Sequence, residues 1–294
     1  MKFICPRCRG DLQNISVHEL FCPHDGLTFR QVNGIWRFLL PERESYYARF
    51  IHDYETVRRF EGRGSADSSY YRTLPFCDPG GKFSADWKIR AASFRALQRV
   101  LTAESIVLDL GAGNGWMSNR LSLSGHTVSA VDLLVNSEDG LGVWPHYESQ
   151  FARIQSEFTR LPFPADSVST AIFNASFHYS ENYEETLAET LRVLLRGGKI
   201  VIMDSPVYHD QGSGAQMTAE RKSYFLQRYG FASDSINSEN FLTYSRMDEL
   251  SRKLNLRWRH IRPFYGVRWA LRPWLAWLRG AREPAEFGLW VAVK

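Results

Sequence analysis

The chain has 294 residues, 44% hydrophobic and 14% aromatic, which supports a sizeable core and more than one small domain. No apolar run reaches the length of about 18 residues that a membrane helix needs, and the start, Met1-Lys2-Phe3-Ile4-Cys5-Pro6, lacks the apolar core of a signal peptide. The expectation is a cytoplasmic protein without a transmembrane segment. The net charge of +4 is unevenly placed: residues 251–282 hold nine Lys or Arg and no Asp or Glu, so the rest is net acidic.

Residues 1–40 read as a small separate module. Cys5-Pro6-Arg7-Cys8 is a C-x-x-C knuckle, and Phe21-Cys22-Pro23-His24-Asp25-Gly26 is a second Cys-Pro turn. Four cysteines without a secretory signal argue for thiols or metal ligands, not a disulfide scaffold. The two turns are spaced as in a zinc ribbon, where knuckles enclose a tetrahedral ion. Candidate ligands are Cys5, Cys8, Cys22 and Asp25, with His24 as the alternative fourth ligand. A second C-x-x-C is usual in such modules, so a metal-free module held by its hydrophobic residues is the competing reading.

Residues 41–105 form a helical linker. Tyr46 to Phe60 carries helix periodicity, Ser68 to Pro75 carries loop signals, and apolar residues from Trp87 to Leu101 recur at helical spacing. Tyr70, Tyr71 and Arg72 are candidates for covering a ligand or for simple packing. Ile106 to Leu110 then reads as a buried strand that breaks at Gly111-Ala112-Gly113-Asn114-Gly115, with a helix pattern from Trp116. Glycines at alternate positions let the backbone turn sharply and approach a ligand. The spacing is not G-x-G-x-x-G. Asp109 stands just before the turn, where a carboxylate repels a pyrophosphate and suits a cationic ligand. The next strand, from Thr127, ends in Asp132 and Leu133, and an acid there fits the hydroxyls of a ribose.

From 106 to 204 strands and helices alternate, which predicts a parallel sheet with helices on both faces. A short helix is expected around His146 to Phe151. The third strand, Ala152 to Gln155, leads into Glu157-Phe158-Thr159-Arg160-Leu161-Pro162-Phe163. The fourth, Ser169 to Phe173, ends in Asn174-Ala175-Ser176-Phe177-His178, and the fifth runs from Ile200 to Asp204 after a Gly197-Gly198 turn.

These motifs resemble the class I S-adenosylmethionine-dependent methyltransferases. The resemblance implies a doubly wound α/β fold, a seven-stranded Rossmann-like sheet of order 3-2-1-4-5-7-6, over residues 106–294. It implies a cofactor site built from Asp109, Gly111, Ala112, Gly113, Asn114, Gly115, Trp116, Asp132, Leu133, Glu157, Phe158 and Asn174, with Glu157 facing the adenine amino group. His178 is the candidate catalytic base, against a pocket-shaping role. The tail of the N-terminal module resembles small ribbons that accompany methyltransferases as activator subunits or fusions. Residues 205–242 read as a substrate cap. Residues 264–283 read as a basic, tryptophan-rich insertion between the last two strands, so that 257–282 either pack as an elaborated hairpin on the ribbon or linker, or offer a surface to nucleic acid, or to a membrane or amphipathic substrate. The expected activity is methyl transfer to a small molecule, with RNA as the alternative acceptor and a cofactor-binding protein without catalysis as the third reading.

Overall fold

A computed structural model describes residues 2–294. In chain order its elements are β1 (Gln13–Ser16), β2 (Glu19–Cys22), β3 (Leu27–Val32), β4 (Ile35–Arg37), α1 (Pro41–Phe60), α2 (Ser68–Thr73), α3 (Ser84–Gln98), β5 (Ile106–Leu110), α4 (Trp116–Leu123), β6 (Thr127–Asp132), β7 (Ala152–Gln155), β8 (Val168–Asn174), α5 (Tyr183–Val193), β9 (Leu194–Met203), β10 (Val207–Tyr208), α6 (Gln211–Tyr229), β11 (Leu242–Thr243), α7 (Tyr244–Leu254), β12 (Arg259–Ile261), α8 (Val267–Ala270), α9 (Arg272–Leu278) and β13 (Leu289–Val293).

The sheet order is β1-β2-β3-β4-β7-β6-β5-β8-β9-β13-β12. Its last seven strands are the expected 3-2-1-4-5-7-6 arrangement. β5 to β9 run parallel, and β13 lies antiparallel to both β9 and β12. The parallel strands are apolar on both faces because helices cover both. Leu108, Leu110, Ile200 and Ile202 belong to one buried cluster, while Val107, Val201 and Met203 belong to the other.

The N-terminal ribbon continues this sheet. Trp36 and Arg37 of β4 pair parallel with Ile154 and Gln155 of β7. The Phe38 amide donates to the Gln155 carbonyl at 2.9 Å, and the Ile4 amide to the Pro162 carbonyl at 3.1 Å. Phe29, Phe38, Cys5 and Cys22 share one core with Ile154, Leu161 and Phe163. Burial against the larger sheet supplies what a ribbon of this length cannot gather alone.

Three local expectations are corrected. Ser68–Thr73 is a helix: the Asp67 side chain accepts from the Ser69 amide at 2.8 Å and caps it. The turn expected as a helix at 146–151 is a 3-10 helix over Leu141–His146, after which Tyr147 is extended. Tyr71 and Arg72 do not cover a ligand. Tyr71 is buried and donates to the Glu138 carbonyl, and Arg72 donates to the His146 carbonyl.

Helix α1 begins with Pro41 at a position that needs no N–H donor, and its Glu42 and Glu44 against Arg58 and Arg59 suit the helix dipole. It crosses the carboxyl end of the sheet. No helix of the described residues is long and apolar enough to cross a membrane.

Candidate cofactor and metal sites

A cleft opens beyond the carboxyl ends of β5 to β8, where open α/β sheets place their ligands. Gly111, Gly113, Asp132, Leu133, Glu157 and Phe158 line it. The glycine corner is built by close approach. Gly111 has φ +77°, and a Cβ there would lie 2.3 Å from the Ser176 Cβ. The Gly111 and Ala112 amides donate to the Val131 carbonyl, which ties the turn to the neighbouring strand.

Asp132 accepts from the Gly113 amide at 2.7 Å and the Leu134 amide at 2.8 Å, so it is oriented by backbone and still presents lone pairs to the cleft. Burial pushes its carboxyl up to about 6, against the lowering effect of those amides. Asp109 lies beneath the turn, fully buried. One of its oxygens accepts from the Ser118 hydroxyl at 2.7 Å, and the other has no partner. Burial, and secondarily the charge of Asp132, push its carboxyl up to about 7. A buried carboxylate with a vacant oxygen is costly unless a donor or cation arrives.

Glu157 follows β7 and is engaged from above. Arg43 and Tyr47 of α1 donate to its Oε2 at 2.8 and 3.2 Å, while Oε1 accepts no hydrogen bond. Tyr47 also reaches Glu181 at 3.2 Å. Phe50 and Tyr54 of α1 meet Tyr179 at 6.1 Å between ring centres and roof the cleft. These α1 residues escaped the sequence reading. Their signal was the spacing of Arg43, Tyr47, Phe50 and Tyr54, which puts them on one helix face.

Other predicted site residues face elsewhere. Trp116 packs against Trp87 and Phe94 in the core. Asn114 caps α4 by accepting from the Trp116 amide at 3.2 Å, and its amide donates to Asp139 at 3.3 Å. Asn174 is buried at the end of β8 with its side-chain oxygen unpartnered. His178 is buried outside the cleft lining, its Nδ1 3.2 Å from the Ser205 hydroxyl. Burial, then the positive fields of Arg221 and Arg90, push its pKa down to about 3. The imidazole is therefore neutral and a weak proton acceptor.

Asp204, at the end of β9 and, like His178, outside the cleft lining, was not singled out by the sequence. It has φ +54°, and Ala175 at the end of the adjacent β8 has φ +53°. Left-handed non-glycine residues at two neighbouring strand ends are a strain that functional sites often retain. The Asp204 Oδ1 accepts from the Ser93 hydroxyl at 2.5 Å, and Oδ2 is buried without a partner. Burial pushes this carboxyl up to about 6.

In the ribbon, the sulfurs of Cys5, Cys8 and Cys22 and an Asp25 oxygen lie within 4.8 Å of one another. Cys5 is 3.0 Å from Asp25, and Cys8 is 3.5 Å from Cys22. The Gly10 and Asp25 amides each donate to a sulfur at 3.4 Å, as amides do around thiolates. His24 turns outward and contacts the other Asp25 oxygen at 3.1 Å. Three sulfurs and one oxygen converging in this way fit a tetrahedral ion, with His24 orienting the oxygen ligand from behind.

Residues 108–202 match the methyltransferase domain family. Similar folds are found in the YcgJ protein of Bacillus subtilis (16% identity, TM-score 0.52, covering 69% of this chain and 98% of that one). A second is in the complex of the Haloferax volcanii Trm112 methyltransferase activator with its methyltransferase (16%, 0.52, 77% and 96%). A third is the Burkholderia thailandensis 1,6-didemethyltoxoflavin-N1-methyltransferase, bound to 1,6-didemethyltoxoflavin and S-adenosylhomocysteine (16%, 0.51, 96% and 98%). No curated protein matches the chain. Residues 108–202 thus carry a methyltransferase domain, set in a sheet with the strand order of the class I S-adenosylmethionine-dependent fold. The chain is thus an enzyme that takes its methyl group from S-adenosylmethionine.

Proposed function

We propose that this methyltransferase acts on a small molecule bound between the cofactor and the 205–242 segment. The observation that carries this reading is a group of buried polar atoms without hydrogen bonds at the ends of β8 and β9, in the loop after β8 and on α6. Asn174 Oδ1, Ser180 Oγ, Asp204 Oδ2 and Arg221 Nε each lack a hydrogen bond. Each such atom costs about 1–3 kcal/mol unless something satisfies it, and an acceptor offering both donors and acceptors would do so. The Burkholderia thailandensis 1,6-didemethyltoxoflavin-N1-methyltransferase, bound to 1,6-didemethyltoxoflavin, is similar over 96% of the chain, which supports the same class.

S-adenosylmethionine supplies a methyl group on a positively charged sulfur. Asp109 would hold the ammonium end, Asp132 the ribose hydroxyls, and Glu157 Oε1 the adenine amino group. Arg43 and Tyr47 fix the Glu157 carboxylate, and the aromatic roof of Phe50, Tyr54 and Tyr179 keeps water out. Positioning the acceptor in line with the methyl provides most of the rate. Asp204 takes the proton that an N–H or O–H acceptor must lose, since its free oxygen and raised pKa suit a proton acceptor better than His178 does. His178 and Ser205 shape the acceptor side.

Cys5, Cys8, Cys22 and Asp25 would hold a structural Zn ion, which would brace the ribbon against β7. Free, clustered thiols favour a reducing compartment, the cytoplasm. The test of acceptor class is incubation with methyl-labelled S-adenosylmethionine and cell extract separated into RNA, protein, lipid and polar metabolites. Label in metabolites or lipid supports the small-molecule reading. Label in RNA replaces it, and cofactor binding without transfer to any pool leaves a non-catalytic protein.

A further inference from the structure

The segment between β12 and β13 carries an apolar stripe that nothing in the fold covers. Helices α8 and α9 are separated only by Leu271, which is itself in the right-handed helical region. Residues 267–278 thus approximate one continuous helical rod. At about 100° per residue, Val267, Leu271, Trp274 and Leu278 fall within roughly 60° of arc. All four face solvent, at 68%, 45%, 57% and 54% exposure, and Trp277 beside them is 74% exposed. Phe264, just before the rod, is also 74% exposed. Monomers seldom expose so dense an apolar patch without a partner.

The opposite side of the rod is anchored. Trp269 packs on Tyr265 and Phe287 at 5.3 Å between ring centres. The Arg272 guanidinium lies 3.6 Å from the Trp269 ring centre and donates to the Ala285 carbonyl at 2.9 Å. The rod is therefore held with its apolar stripe outward by contacts made on its back. Along one flank of the stripe stand Arg268 and Arg279, both exposed and neither in an ion pair within the described residues.

We propose that this rod is a docking surface for an anionic lipid membrane, lying flat in the headgroup region with Val267, Leu271, Trp274 and Leu278 inserted and Arg268 and Arg279 on the lipid phosphates. Two features favour lipid over nucleic acid. The stripe mixes aliphatic side chains with indoles, and aliphatic groups offer no face on which bases stack. Tryptophan and arginine around an apolar ridge match the graded polarity of the membrane interface. Lys253, Arg262 and Arg282 of the acid-free stretch 251–282 are paired with acids elsewhere in the fold, so Arg268 and Arg279 beside the stripe supply the charge complementarity to anionic headgroups. Neither α8 nor α9 lines the cofactor cleft, so lipid contact and methyl transfer are separable.

The test is co-sedimentation of the full chain with vesicles of phosphatidylcholine alone and of phosphatidylcholine with phosphatidylserine. Binding is expected only to the anionic vesicles and to weaken with salt. Trp274→Ser with Leu278→Ser, and separately Arg268→Glu with Arg279→Glu, should each reduce partitioning about tenfold or more. Circular dichroism and S-adenosylhomocysteine binding should stay unchanged in both variants. No binding of the wild-type chain to anionic vesicles, or equal binding by both variants, overturns the proposal. It is equally overturned if the substitutions leave vesicle binding intact and instead abolish concentration-dependent self-association, or binding to RNA.

Discussion

Asp109 is where binding and stability oppose each other. Its carboxyl is held near 7 by burial, against about 3.9 in an unfolded chain. A raised acid contributes stability that is intact below the unfolded value and lost as pH rises through the folded one. Asp109→Asn should therefore raise the melting temperature of the ligand-free protein at pH 8, with the gain vanishing near about pH 4. The same variant should lose most of its affinity for S-adenosylhomocysteine, measured by calorimetry. In the wild type that affinity should climb as pH rises through about 6 to 7, because the cationic end of the ligand requires the ionised acid. At Gly111 the constraint is steric. Gly111→Ala meets Ser176 at 2.3 Å in a left-handed backbone, and should abolish cofactor binding while leaving a folded chain by circular dichroism. At Asp204 the constraint is chemical. Asp204→Asn should keep S-adenosylhomocysteine affinity and lower label transfer about 10²-fold or more, whereas His178→Gln should change transfer far less. If His178→Gln is the more damaging, the proton acceptor is misassigned. Asp109 and Asp132 were legible in the sequence because Asp109 stands two residues before a glycine turn and Asp132 closes the strand that follows it. Asp204 also ends an apolar run, but its left-handed turn and its bond to Ser93, 111 residues away in sequence, leave no local mark.

Among the elements, the ribbon and α1 act together on one loop. Arg7, inside the first knuckle, donates to both oxygens of Glu42 at 2.7 Å. The next residue, Arg43, holds Glu157. The cysteine cluster and the Glu157 side of the cleft are thus joined through the first turn of α1. Asp25→Ala should empty the metal site, whereas His24→Ala, which removes only an orienting contact, should weaken zinc affinity about 10- to 100-fold. Elemental analysis of the purified variants and competition with a chelator measure the two effects. The knuckles were readable from Cys-Pro spacing. The choice between Asp25 and His24 was not, because one residue of offset decides which side chain turns inward. The helix over 68–73 was hidden for a related reason. Its serines read as loop residues until Asp67, immediately before them, is seen to cap the turn.

For the whole molecule, the alternation of strands and helices predicted a parallel sheet with helices on both faces, and the seven-stranded order came from the resemblance to the class I methyltransferases. Continuation of the sheet into the ribbon was not predictable from periodicity. β4 is only three residues long, and its partner lies more than a hundred residues downstream. This pairing carries a further consequence. The exposed edge of β7 is occupied by a strand on the same polypeptide, at an effective concentration fixed by covalent linkage and not by protein abundance. Dilution cannot strip that strand away, and a free ribbon from another chain would have to compete with a tethered rival. Specific activity should therefore stay constant from high to very low enzyme concentration, where an equivalent pair of separate subunits would fall apart.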